Sequence, residues 1–368
     1  MLLKYCKKCF TNNFQPNIKF KNGTCIPCNI FEKQKITTSN EILVNLIKKK
    51  KKKDSNYDCI IGVSGGKDSL KQANYIKNKL KLRPLLVCLT YPPEIVTETG
   101  VLNLNNLIEQ GFDIIISAPN PQIWKDLIKT SFIKFGNFRV PSELALFSSV
   151  PQIAIKYEIP IIIWGENPAV TLGESKTLAK EVWDGNSLRN LNTLKGTKIN
   201  WIEKKYNKNQ ILPYYYPSKK EFKKNKLQIF FMGSLWKDWS IINNAKYAIA
   251  NGLSIRKENP MEHGDLFGYQ SLDEDFVHVN QMIKYYKYGY GRTTEYVNEM
   301  IRLNNITREQ GKHLISKYDG KCSKKYIHSF CNYINIGPKF FWKKIFSLTN
   351  KDLFRIKNNK IEAKFSVK

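Results

Sequence analysis

Five short apolar runs punctuate the middle of the chain, at 57–63, 84–90, 112–118, 159–164 and 227–232. Each is nearly continuous rather than alternating, the pattern of a parallel strand covered on both faces. Helix candidates lie between them at 67–81, 98–110, 121–136 and 142–158. This alternation predicts an α/β fold with a doubly wound parallel sheet. Such sheets bind ligands at the carboxyl ends of their strands. That edge receives 64–69, 90–93 and Gly165-Glu166-Asn167-Pro168.

The pattern also divides the chain. Residues 1–31 carry paired cysteines, and 32–56 read as a linker helix ending in six lysines, Lys48 to Lys53. Residues 57–235 form the α/β domain. Within it, about 170–226 are irregular, polar and aromatic (Trp183, Trp201, Tyr214 to Tyr216), a loop insertion of the kind that serves as a substrate lid. From 236 to 368 the chain reads as helices to its end, with candidates at 240–251, 273–288, 293–304 and 308–318. Thr307 and Gln310 have capping-box spacing before the last of these. No internal repeat is present.

The turn after the first strand carries the clearest chemistry: Ser64-Gly65-Gly66-Lys67-Asp68-Ser69. A Gly-Gly turn leaves backbone N–H groups unpaired, and the following helix adds the positive end of its dipole. The string lacks the G-x-x-x-x-G-K-[ST] spacing of the common P-loop, and no G-x-G-x-x-G stands here. S-G-G-x-D-S resembles the PP-loop of the ATP pyrophosphatases, which cleave ATP to AMP and pyrophosphate. That resemblance implies a HUP-like sheet, phosphates held by Ser64 to Ser69, and Mg²⁺ held by Asp68 with phosphate oxygens.

Cys6, Cys9, Cys25 and Cys28 form a C-x₂-C-x₁₅-C-x₂-C array. In a reducing compartment this spacing reads as a closed tetrathiolate zinc site, structural rather than catalytic. Cys59 and Cys88 fall in strand runs and read as core residues; Cys322 and Cys331 have no CxxC partner. No run of 18 apolar residues is present, and charges interrupt the first residues, so the expectation is a cytoplasmic protein without a membrane span.

The net charge of +29 on 368 residues attracts anions, nucleotides included. Arg supplies only eight of the 60 basic residues, and Arg is the side chain suited to bidentate phosphate and base contacts. A lysine excess reads as a solvated surface, which argues against a nucleic-acid partner.

Two further constellations stand out. Glu166 and Asn167 end the fourth strand, where a carboxylate and an amide orient a nucleophile, take its proton or bind Mg²⁺; the alternative is a polar turn before Pro168. In the segment from His278 to Arg292, Gly289 and Gly291 separate two helices. This turn either sets Lys287 and Arg292 beside an anionic substrate or is a Gly C-cap whose cations complement the helix dipole. No G-x-C-x-G glutaminase elbow is present.

Taken in order, CxxC…CxxC, YDCIIGVSGGKDS, Trp164-Gly165-Glu166-Asn167-Pro168, His278…Lys287-Tyr288-Gly289-Tyr290-Gly291-Arg292 and Ile306-Thr307-Arg308-Glu309 resemble the N-acetyl sugar amidotransferase family over roughly residues 4–335. That family includes the pseudaminic acid biosynthesis protein PseA and WbpG-type lipopolysaccharide enzymes. The resemblance implies that an acetamido group on a bacterial sugar becomes acetamidino through an adenylated intermediate and ammonia. It implies catalytic roles for Lys67, Asp68, Glu166 and Asn167. It also implies substrate binding by the segment holding His278, Lys287 and Arg292, with the two cations facing a sugar carboxylate or nucleotide phosphate. The cofactors implied are ATP, Mg²⁺ and structural Zn²⁺. Ammonia would come from a separate glutamine amidotransferase subunit or from free ammonium. The product would enter pseudaminic-type nonulosonic acid, flagellin glycosylation or lipopolysaccharide pathways. The main alternative is a PP-loop enzyme that thiolates tRNA, which would explain the zinc module and the charge together. Such enzymes generally need catalytic cysteines near the PP-loop or a cluster-binding set, and the core offers only Cys59 and Cys88, with Cys88 alone near a strand end.

Overall fold

The computed structural model describes residues 2–33, 40–166, 185–191, 193–234, 236 and 239–367. Asn167, Trp183 and the first part of the expected insertion, 167–184, lie outside the described residues. The chain opens with a ribbon of β1 (Phe20–Lys21) and β2 (Thr24–Cys25), then α1 (Ile26–Lys33) and α2 (Asn40–Lys50). The α/β unit follows: β3 (Cys59–Val63), α3 (Lys67–Asn74), β4 (Pro84–Leu89), α4 (Glu98–Glu109), β5 (Ile114–Ser117), α5 (Pro121–Phe135), α6 (Arg139–Lys156), β6 (Ile161–Trp164) and β7 (Gln228–Phe231). All five predicted strands form one parallel sheet in the order β5-β4-β3-β6-β7.

Successive strand residues face opposite sides. Ile60 and Ile162 join the cluster under α5 and α6, whereas Cys59, Ile61 and Ile163 join the one under α3. Burial of both faces explains the unbroken apolar runs of β3, β4, β6 and β7, whereas β5, at the sheet edge, is only partly covered and leaves Ile116 exposed. The sheet order reverses between β3 and β6, so the loops after these two strands open a crevice at the carboxyl edge.

Two helices differ from expectation. The helix predicted over 67–81 is α-helical only to Asn74 and continues as a π-helical turn, Tyr75–Lys79. The one predicted from 142 begins at Arg139 and runs through Pro151. Pro141 falls in its first turn, where a missing N–H costs nothing.

The C-terminal region supplies α7 (Ile241–Ala250), α8 (Phe276–Tyr288), α9 (Arg292–Arg302), α10 (Arg308–Tyr318), α11 (Lys324–Tyr333) and α12 (Pro338–Leu348). The capping box at Thr307 and Gln310 is formed. Contrary to expectation, helices do not continue to the end: β8 (Phe354–Lys357) and β9 (Lys360–Ala363) form a hairpin. Asn358 and Asn359 both have positive φ, 47° and 57°, as a two-residue turn matched to strand twist requires. Phe276, Phe330 and Phe341 share one apolar cluster with Phe132, Phe138 and the β4 face of the sheet. These helices are thereby fastened to the α5–α6 side of the sheet. Among the described residues, no helix is long and apolar enough to cross a membrane.

Candidate active site and four-cysteine site

The loop after β3 is built as an anion cradle. Gly65 has φ +77°, and a Cβ there would stand 2.8 Å from the Leu104 backbone nitrogen. Gly66 caps α3 without any side-chain bond to the first-turn N–H groups. Those groups and the helix dipole are left for a ligand. The Ser64 N–H donates to Ser69 Oγ at 3.0 Å, closing the loop on itself. Lys67 is only 3% exposed, and its Nζ lies 2.6 Å from Asp68 Oδ2. The other Asp68 oxygen accepts from Asn244 Nδ2 at 2.7 Å. Ser64, Lys67, Asp68 and Ser69 line a cavity of about 60 Å³ that is covered by Tyr269, Gln270 and Ser271.

The loop after β6 lies across the crevice. A Cβ on Gly165 would come within 2.9 Å of the Trp239 ring and 3.6 Å of Asp68 Cβ, so this strand end meets the phosphate loop. Lys67, Asp68, Glu166, Arg292, Glu295 and Glu299 line a second cavity of about 70 Å³. Glu166, Arg292 and Glu295 also line a third, of about 430 Å³, together with Glu143, Lys284 and Lys287. The phosphate loop and the large chamber therefore share a wall made of one β6-end carboxylate and the start of α9.

That wall is charged and half-buried. Lys284 Nζ lies 2.6 Å from Glu295 Oε1, and an Arg292 guanidinium nitrogen lies 3.1 Å from Glu295 Oε2. Burial alone would raise the Glu295 carboxyl, but Lys284 and Arg292 outweigh it and hold it below its ordinary value. Burial pushes Lys284 down, against the pull of Glu295. Burial also raises Glu299 to about 7, against the Ile241 N–H, Arg302 and Lys67.

The structure thus brings Lys67, Asp68, Glu166, Lys287 and Arg292 to connected cavities. It does not bring His278 to the large chamber. His278 is buried and stacked between His263 and Tyr326, at 4.9 and 4.8 Å, and burial drives its pKa down to about 2. Its ring, with Arg292, borders only a void of about 10 Å³. Asn167 lies outside the described residues. Glu143, Lys284, Glu295, Glu299, Gln270 and Ser271 were not legible as site residues from the sequence.

The four N-terminal thiols are buried and lie within 4.8 Å of one another. Cys9 Sγ is 3.7 Å from Cys25 Sγ and 3.5 Å from Cys28 Sγ. A tetrahedron with metal–sulfur bonds of ~2.3 Å has edges of about 3.8 Å, so the spacing fits one thiophilic ion. Backbone N–H groups of Lys8 and Cys25 donate to Cys6 Sγ, as deprotonated sulfur would require. Four thiolates would fill the coordination of one tetrahedral ion, leaving no position for a further ligand.

Residues 267–366 match the family model for the LPS biosynthesis protein WbpG-like, C-terminal domain. The match covers α8 to β9, including Arg292 and Glu295. No curated protein matches the chain. Among solved structures, the U34-tRNA thiolase NcsA from Methanococcus maripaludis with its [4Fe-4S] cluster aligns over 90% of this chain and 96% of that one, at 14% identity and a TM-score of 0.29. That likeness is too slight to bear on the reaction.

Proposed function

We propose that the protein is an ATP-dependent N-acetyl sugar amidotransferase. The reading rests on one arrangement: an ATP-pyrophosphatase-type phosphate loop shares a charged wall with a chamber of about 430 Å³, large enough for a sugar. The WbpG-like match over the helices that build this wall supports a lipopolysaccharide or related sugar pathway.

In the proposed reaction the amide oxygen of an acetamido group attacks the α-phosphate of ATP. An O–P bond forms, the α–β bridge breaks, and pyrophosphate leaves onto the α3 N-terminus and Lys67. Ammonia then attacks the imidate carbon, passes a proton to Glu166, and AMP departs with the former amide oxygen. An amide oxygen is a poor leaving group, and adenylation turns it into a good one. The residues act mainly by position and charge. Asp68, held by Asn244, would hold Mg²⁺, which would neutralise the phosphates. Arg292 and Lys287 face a sugar carboxylate or nucleotide phosphate. Zn²⁺ suits the four-thiolate site as a structural ion. Ammonia would come from a separate glutaminase subunit or as free ammonium.

A thiolation reaction would need a reactive thiol or a cysteine-held cluster at the chamber. All eight cysteines are described, and none lines the three cavities above. Cys88 is buried, and burial pushes its thiol up to about 12.

The test measures AMP release with ammonium present, offering diacetamido sugar acids and nucleotide sugars in parallel with bulk tRNA. Sugar-dependent AMP with a product one mass unit lighter (oxygen replaced by NH) is expected, and Cys88→Ala should retain it. AMP release that depends on tRNA alone, and is lost in Cys88→Ala, would overturn the proposal.

A further inference from the structure

The four-cysteine module is docked against the C-terminal helices. The loop between its two knuckles lies on the α8–α9 turn. Asn12, fully buried, donates from Nδ2 to the Tyr288 carbonyl at 3.0 Å, at the C-terminal end of α8. The Phe10 N–H donates to Asn298 Oδ1 at 2.7 Å, and Asn298 Nδ2 donates to Thr11 Oγ1 at 3.2 Å. Thr11 is in turn tied to the metal site, through its N–H and its hydroxyl, both in contact with Cys9 Sγ. Arg308 donates to the Cys9 carbonyl at 2.7 Å and lies over the Phe10 ring. Pro16, on the same loop, lines the large chamber.

The turn held this way supplies Lys287, Tyr288, Tyr290 and Arg292 to the chamber. The helix held at Asn298 also carries Arg292 and Glu295. The module's own frame is small: two strands of two residues, one Tyr5–Asn12 bridge and, among the described residues, an apolar cluster of Ile18 and Phe20 beside the cysteines, while Phe10 is buried against Val297 and Ile315 of the helices. A module of this size depends on its metal for structure.

We infer that the metal-loaded four-cysteine module is the positioning element for the chamber's cationic wall, acting through Asn12 and Asn298 on the Tyr288–Asn298 segment. Filling the thiolate site fixes the loop from Phe10 to Pro16, and the loop fixes the turn that presents Lys287 and Arg292. Emptying it releases the turn and weakens binding of the second substrate, while the phosphate loop on β3 keeps its shape. The functional part of this inference rests on reading the chamber as the second-substrate site.

The test is hydrogen exchange by mass spectrometry on the full chain, as purified, after chelator stripping, and after reloading with zinc alone. Stripping should speed exchange about tenfold or more in peptides spanning 286–298, leave 59–74 unchanged, and be reversed by zinc. Asn298→Ala should keep full metal content and still speed exchange at 286–292, with Asn298→Asp, which retains the acceptor for the Phe10 N–H, recovering part of the protection. Once a sugar substrate is in hand, Asn298→Ala should raise its KM about tenfold with the KM for ATP unchanged. Acceleration confined to 2–33, or spread equally into 59–74, overturns the inference. The exchange readout requires no substrate, so failure of the amidotransferase reading leaves it standing.

Discussion

Replacing Lys67 by methionine should reduce AMP and pyrophosphate formation by about 10³-fold while leaving the protein folded. Lys67 is buried at the first position of α3, and its Nζ pairs with Asp68. Burial and the Asp68 pair hold its charge at the phosphate loop, where pyrophosphate would leave. Removing one such preorganised donor costs roughly 10²–10³ in rate, about 3–4 kcal/mol, and here the lost group carries a full charge. The loss should fall on kcat rather than on the KM of the sugar, because Lys67 lines the two small cavities and not the large chamber. Asp68 remains bonded to Asn244 and is a third exposed, so the variant should melt close to the parent. Lys67→Arg should not rescue, because a broad planar guanidinium does not fit a cavity shaped for a point charge. Retention of more than a tenth of the parent rate by Lys67→Met would remove the phosphate loop from the mechanism.

The sheet was legible because burial on both faces of its inner strands leaves an unbroken apolar signature, and because a parallel strand ending in Ser-Gly-Gly admits few other structures. The chamber was less legible for a geometric reason. Lys284 and Glu295 pair across two helices, eleven residues apart and separated by a turn, so neither helix alone reveals the contact. On its own face each is an ordinary charge of an amphipathic helix. One signal was available in the sequence. Arg292 opens α9, at the end of the dipole that repels cations, and such a local conflict marks positions kept for function. The two readings of the glycine turn turn out to be compatible. Gly289 is a left-handed C-cap with φ +72°, and the cations on either side of it face the chamber. His278 illustrates the opposite error, since a histidine in a functional-looking segment is packed between rings. The hairpin at 354–363 was foreshadowed by Asn358-Asn359, a turn pair whose meaning depends on the strands beside it.

Glu299→Gln should stabilise the fold at pH 8 and change little near pH 4.5. Burial raises this carboxyl from its ordinary 4.5 to about 7, against the Ile241 N–H, Arg302 and Lys67. The sign follows from proton binding: the folded state holds the proton more tightly than the unfolded one. Below pH 4.5 both states are protonated, and the acid costs the fold nothing. Between 4.5 and 7 the unfolded chain ionises first, so stability falls as pH rises; above 7 the full penalty remains. Each tenfold in acidity is worth about 1.4 kcal/mol, which sets the penalty at about 3 kcal/mol. Glutamine keeps the oxygen that accepts from Ile241 and carries no charge, so it should recover most of that amount. Paired melting curves at pH 4.5, 6 and 8 would check it, and a gain of equal size at every pH would refute the assignment. The same residue borders the cavity that holds Lys67, Asp68 and Glu166. A buried acid that costs the fold stability at neutral pH persists where its charge is used. Stabilisation accompanied by a fall in ATP cleavage would therefore place Glu299 in the phosphate site's machinery, whereas stabilisation with full activity would leave it a structural cap on α7.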